Sequence, residues 1–206
     1  MANSVDKVGG GFEFCDGGED AAISSENVAE LADSLVGGYF EDYEGAKKER
    51  TGEVKGCLDR DSGALARMSK DSGSVIARDD NGKAVGIGGI ERLLCPEYGG
   101  RPVVMFTKLT VLPEARGRGI FEEVVNRLGE KAKAKWPNGI FVVMTRNPIV
   151  KKRFSSNGFA SIGVAKYHYL VSEPLGKDLF ERIRKIEAEG WDVLCSGISV
   201  DEIVEH

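Results

Sequence analysis

The element order legible in this chain, βααβββαβαββ, predicts an α/β protein of the α+β type. Its sheet is expected to be mixed and mostly antiparallel, flanked by helices, with a helical extension at the C-terminus. Three observations predict it. Asp79-Asp80-Asn81-Gly82 separates two apolar runs, 74–78 and 83–94, and is a tight-turn signal for a β-hairpin. The β-branched runs 103–112 and 140–145 enclose a helical pattern from Ile120 to Lys135, which makes one strand–helix–strand crossover. The mixture of hairpin and crossover excludes a purely parallel, doubly wound sheet.

Taken in order, residues 1–10 run into Gly9-Gly10-Gly11 and are expected to be flexible, with a short strand at 11–15. Ser24 and Ser25 offer an N-cap for a helix whose apolar positions Val28, Leu31, Ala32, Leu35, Val36 and Tyr39 follow helical spacing. Residues 41–56 are charged and poorly periodic, which reads as loop or frayed helix, and a short helix is expected over 58–69. Pro and Gly seed a connector at 95–102. Trp136-Pro137-Asn138-Gly139 ends the long helix, 140–145 is a buried strand, and 148–157 is a short helix closed by Gly158 in the position of a C-cap glycine. Strands are expected at 159–164 and 166–172, then an amphipathic helix over 175–189 carrying Leu179, Ile183 and Ile186. Residues 190–206 give no signal. The expected organisation is one domain over 11–172 and a helical extension over 173–206.

At 206 residues the chain is long enough for one well-buried core. A net charge of −5 argues against nucleic-acid binding through phosphate contacts. No run of about 18 apolar residues exists to cross a membrane, and the N-terminus lacks a hydrophobic signal core, so a cytoplasmic location is expected. The four cysteines lie far apart without a CxxC pair, and with only His168 and His206 beside them they support no metal site. The absence of a Gly-x-x-x-x-Gly-Lys-Ser/Thr motif disfavours a nucleoside triphosphatase.

Pro113-Glu-Ala-Arg-Gly-Arg-Gly-Ile120 joins the strand to the long helix. Glycines let the backbone approach an anion closely, and the free N–H groups of a first helical turn carry the positive end of the helix dipole. Arginines add charge that screens or pairs with phosphates. The segment reads as a phosphate cradle.

On these residues the sequence resembles the GCN5-related N-acetyltransferases. Glu114-Ala-Arg-Gly117-Arg-Gly119 is similar to the family's cofactor motif, preceded by Leu109-Thr-Val111-Leu-Pro113. Asn147-Pro-Ile-Val150-Lys-Lys-Arg-Phe154-Ser-Ser-Asn-Gly158-Phe159 is similar to its second motif, and the close resemblance covers about residues 74–172. The resemblance implies a twisted sheet and an N-acetyltransferase that passes an acetyl group from acetyl-CoA to an amine by direct attack in a ternary complex. It implies pyrophosphate contacts at Arg116, Gly117, Arg118, Gly119 and Ile120. Pantetheine contacts would fall along Leu109, Thr110 and Val111 and at Asn147, and a backbone N–H of Leu109 or Val111 would polarise the thioester carbonyl. Arg153, in the basic cluster Arg146, Lys151, Lys152 and Arg153, is a candidate for the 3′-phosphate, with plain surface charge the alternative.

Two departures from the family pattern bear on chemistry. Phe154 stands where the family often has a tyrosine that protonates the departing thiolate, and phenylalanine cannot donate a proton. Met105–Lys108 carries no carboxylate where many relatives place a general base, which leaves Glu91 and His168 as candidates. A catalytically weak acyl-CoA-binding module, acting as a sensor or partner-binding domain, is therefore the alternative. Between Glu13 and Glu44 lie ten carboxylates and no Lys or Arg, which suits a cationic amine acceptor, small molecule or protein, or else is a solvated face. The apolar stripe of the last helix must be buried, on the domain or in a homodimer interface.

Overall fold

The computed structural model describes residues 6–8, 11–18, 21–40, 42–93, 98–164, 166, 184–185 and 187–203. The chain divides into two compact units, one of residues 1–90 and 108–131, the other of residues 91–107 and 132–206.

The first unit opens with strands β1 (Asp6–Val8) and β2 (Phe12–Asp16), paired antiparallel. β1 puts residues 6–8, within the stretch expected to be flexible, into a strand, since strand pairing uses backbone groups and needs no apolar signal; the rest of 1–10 lies outside the described residues. Helix α1 (Ser25–Gly37) starts where expected, with the Ser24 hydroxyl accepting from the Asn27 N–H at 3.3 Å. It buries Val28, Leu31, Ala32, Leu35 and Val36, the stripe read from the sequence. Of the two readings of residues 41–56, loop or frayed helix, the structure has helix: α2 (Tyr43–Glu49) and α3 (Thr51–Met68) occupy almost all of them. Helix α2 buries no residue, so it has no apolar period to read. It is held instead by an Asp42 cap on the Gly45 N–H and by Asp33 of α1, which meets Tyr43 at 2.8 Å and Lys47 at 3.0 Å.

Strands β3 (Ser74–Arg78) and β4 (Ala84–Arg92) form the expected hairpin. Its turn is closed by Asp79, whose carboxylate accepts from the N–H groups of Asn81 and Lys83, with Gly82 left-handed at φ 79°. Strand β5 (Val103–Val111) contributes its Lys108–Val111 half to this unit, giving the order β1-β2-β3-β4-β5. The side-chain amide of Asn27 fastens α1 to β4, donating to the Ala84 carbonyl and accepting from its N–H, both at 2.8 Å.

Helix α4 (Ile120–Lys135) lies against one face of β4, and two glycines make that approach possible. A Cβ on Gly86 would stand 2.9 Å from Ile120, and one on Gly88 would stand 2.5 Å from Leu109 and 2.9 Å from Leu128. Gly89, pointing to the other face, leaves room for Met68 of α3.

In the second unit the order is β5-β6-β8-β7. The Val103–Phe106 part of β5 runs parallel to β6 (Ile140–Thr145), as a crossover requires. Helix α5 (Pro148–Ser156) follows, closed by Gly158 at φ 83°, with the Phe159 N–H reaching back to the Phe154 carbonyl. The expected strand 159–164 shrinks to β7 (Ala160–Ser161), because Gly163 and Val164 are already helical. The expected strand 166–172 lies outside the described residues except Lys166, which is helical; most of the expected helix 175–189 lies outside them too.

The main surprise is β8 (Asp192–Ser196), inside the extension read as helical. It pairs antiparallel with both β6 and β7, and Val193, Leu194 and Cys195 are fully buried. A run of three apolar residues is too short to announce a strand, and its pairing partners are remote in sequence. Burial pushes the Cys195 thiol up to about 11, the behaviour of an inert core cysteine.

Gly88→Ala is expected to destabilise the protein by about 1–3 kcal/mol through overpacking, read from urea unfolding. A loss below about 0.5 kcal/mol would mean that α4 can retreat from β4 at no cost.

Candidate functional site

The loop after β5 begins with a single 3-10 turn, Pro113–Ala115, and ends at Ile120, the first residue of α4. Gly117 and Gly119 are both left-handed, at φ 74° and φ 78°. A Cβ added to either would meet no atom of the described residues within 4 Å. Among the described residues no group accepts from the N–H of Gly117, Gly119 or Ile120. Open N–H groups on alternating backbone conformations at the start of a 16-residue helix form a concavity suited to an anion.

Local bonds hold the loop. The Arg116 guanidinium donates to the Val111 carbonyl at 3.2 Å and to the Ser34 hydroxyl at 3.1 Å. Ser34 donates in turn to the Val111 carbonyl at 3.0 Å and accepts from the Thr110 hydroxyl at 3.2 Å. Arg118 covers the ring of Phe12 at 4.2 Å. Both arginine side chains are thus engaged by the protein, and the backbone is what the loop presents. Glu114 is turned to Lys83 at 3.3 Å, and Lys83 also meets Glu30 at 2.8 Å. A backbone hydrogen bond, assisted by Lys83, holds the Glu114 carboxyl below the ordinary carboxylate value.

The structure brings Leu109, Thr110, Val111 and Arg116–Ile120 together in the first unit. Leu109 packs toward Gly88, Thr110 and Val111 are buried, and Val111 lies beside Gly86. The other predicted residues belong to the second unit. Asn147 is the N-cap of α5, its side-chain oxygen accepting from Ile149 at 2.9 Å and Val150 at 3.5 Å. Phe154 is only 1% exposed and packs edge-on against Phe106 and Phe159, with centroids 5.7 and 4.9 Å apart. Arg153 is in the last turn of α5, and Lys151 of the same basic cluster pairs with Asp192 at 2.7 Å. Glu91 is exposed near the end of β4, and His168 lies outside the described residues. A cleft of about 570 Å³ lined by Arg101, Lys133, Asn138 and Phe141 contains none of the predicted residues.

Part of the acidic run is used internally: Asp16 pairs with Lys131, Glu30 with Lys83 and Asp33 with Lys47, while Asp42 caps α2. Desolvation, and then the hydrogen bond to Asp33, push Tyr43 up to about 12.

Sequence reading missed one cluster altogether. Asp61 of α3 is fully buried, and its carboxylate accepts from Lys108 at 2.7 Å and from the Arg60 guanidinium at 3.0 and 3.1 Å. Tyr39 also hydrogen-bonds to it, and burial together with this carboxylate pushes the phenol above its ordinary value. Burial alone would raise the Asp61 carboxyl, but the bonds from Arg60 and Lys108 outweigh it and hold it below the ordinary value. An Asp in a charged helical segment gives no sign of burial, because its partner lies 47 residues away.

No family model and no curated protein matches the sequence. Solved structures do. A protein from Pyrococcus horikoshii assigned as an acetyltransferase is 13% identical with a TM-score of 0.50, over 76% of this chain and 46% of that one. PH1933 from Pyrococcus horikoshii OT3 is 15% identical with a TM-score of 0.50, over 96% of this chain and 99% of that one. N-acetylglutamate synthase from Neisseria gonorrhoeae, solved with coenzyme A and N-acetyl-glutamate, is 16% identical with a TM-score of 0.43. This chain spans less than half the length of the first of these and a quarter of the synthase (46% and 25%). At such identities the likeness is one of fold. The chain has the fold of the GCN5-related N-acetyltransferases, a mixed, mostly antiparallel open sheet flanked by helices.

Asp61→Asn is expected to cost about 2–3 kcal/mol at neutral pH, at the low end for a buried pair because Arg60 is largely exposed. Since the folded pKa is depressed, this stability is present above the ordinary carboxylate value of about 4 and is lost as pH falls through the lower folded value. The gap between parent and variant in urea unfolding should therefore narrow as pH falls below the ordinary carboxylate range; a gap independent of pH would remove the ion pair as its source.

Proposed function

We propose that the chain is an acyl-CoA-dependent N-acyltransferase, taking acetyl-CoA as donor and an amine as acceptor, with direct transfer in a ternary complex. The observation that carries this reading is the loop: two left-handed glycines whose Cβ positions meet none of the described residues, leading into the N-terminus of α4. That geometry suits a pyrophosphate, whose oxygens accept from backbone N–H groups without side-chain charge. Gly117, Gly119 and Ile120, with the backbones of Arg116 and Arg118, would hold it. Leu109–Val111 would supply the amide that meets the thioester carbonyl, and Asn147 and Arg153 remain proposed contacts of the pantetheine arm and 3′-phosphate. Bound there, acetyl-CoA supplies an activated thioester carbonyl to an amine. The chain's part is to orient that carbonyl, donate a hydrogen bond to it and take the proton from the amine. Glu91, exposed and open to solvent, is the proposed proton acceptor. A cytoplasmic location and a cationic acceptor remain part of this proposal.

A second reading has its own observation. Phe154 is packed into an aromatic cluster and has no proton to give a departing thiolate. That favours a slow enzyme, or a module that binds acyl-CoA without turning it over.

Calorimetric titration with acetyl-CoA and coenzyme A, followed by thiol release with a panel of amines, separates the readings. The enzyme binds both and releases thiol, whereas the module binds without release. Failure to bind either would sink both. Gly119→Val forces a left-handed β-branched residue into the loop and should weaken coenzyme A binding roughly tenfold or more. Unchanged affinity would remove the loop from the site.

A further inference from the structure

Lys108 is the only residue other than glycine with a positive φ among the described residues, at 55°. It lies within β5, immediately before Leu109, Thr110 and Val111. L-residues other than glycine take this conformation at a cost, and it persists only where the surroundings enforce it. Here the enforcing group is visible. The Lys108 ammonium reaches Asp61 at 2.7 Å, and Asp61 is fully buried on α3. The anchor is itself fixed: Arg60 grips the same carboxylate with two nitrogens and Tyr39 adds a further hydrogen bond. Helix α3 is seated on β4, where Met68 fills the space left by Gly89.

We propose that Asp61 is a positioning residue: through Lys108 it holds the left-handed turn in β5 and so sets the path of Leu109–Val111, whose backbone meets the thioester carbonyl. This rests on the acyltransferase reading. Asp61 is not itself a base for the amine. It is sealed from solvent, and Lys108, Arg60 and Tyr39 already occupy its lone pairs. The phosphate loop has further anchors of its own, from Arg116 to Val111 and Ser34 and from Ser34 to Val111, so the N–H groups of Gly117, Gly119 and Ile120 do not hang on Lys108 alone.

The test compares Lys108→Met with Lys108→Gly. Both remove the ammonium and leave Asp61 paired with Arg60 and Tyr39, but only glycine takes φ 55° without strain. Lys108→Met should lower kcat roughly tenfold while coenzyme A affinity stays within about twofold of the parent. Lys108→Gly should keep kcat within about threefold of the parent. A second pair keeps the comparison open if Met is poorly tolerated: Asp61→Asn should lose turnover, and Asp61→Asn combined with Lys108→Gly should regain it. A merely structural Asp61 would lower melting temperature without any rescue by glycine. Equal kcat in the Met and Gly variants, with no rescue in the double variant, overturns the clamp alone. A parent chain that binds no coenzyme A, or releases no thiol, overturns the acyltransferase reading and the clamp's role with it.

Discussion

The first residue of α4 rests where a side chain on β4 would otherwise stand. Gly86 and Gly88 lack the atoms that would collide with Ile120, Val124, Leu128 and Leu109, so the helix comes down onto the strand at its own N-terminus. Helix position and loop geometry are one constraint. With Ile120 seated, the loop from Pro113 must close a short gap, and two left-handed glycines close it, their N–H groups meeting no acceptor among the described residues. A Cβ at Gly86 would press on Ile120 at the helix end from which the loop hangs.

Charge is handled locally in the first unit. Arg116 is spent on a carbonyl and a hydroxyl, Arg118 on an aromatic face, and much of the acidic run on caps and ion pairs. What remains for a ligand is the backbone, whose partial charges are fixed in direction and cost no side-chain entropy to organise. The Asp61 cluster follows the same rule: a buried carboxylate is tolerable because four hydrogen bonds saturate it, one of them from Lys108, whose φ is positive. The second unit is organised by packing instead, with β8 placing Val193 and Cys195 in the core beside Val103, Ile140 and Val142.

Legibility in the sequence tracked how local each signal was. Ser24 and the α1 stripe, the Asp79–Gly82 turn, the β5–α4–β6 crossover and the Gly158 cap were all readable, because each is specified by neighbours within a few residues. Helix α2 was not, since it buries nothing and is held by Asp33 of another helix. Strand β8 was not, since three apolar residues acquire meaning only when β6 and β7 supply hydrogen bonds on both sides. For the site, the loop glycines were readable as a spacing, whereas the burial of Phe154 and the Asp61–Lys108 pair were not.

The sequence by itself determined the fold class, the crossover and the glycine spacing of the loop, since turn chemistry, periodicity and glycine placement act over short separations. Tertiary structure alone decided which charges are spent inside the protein, why β4 carries glycines at 86, 88 and 89, and where the backbone is forced into a left-handed turn at Lys108. Those outcomes depend on groups tens of residues apart arriving at one place, and a contact of that kind leaves no periodic trace in the chain.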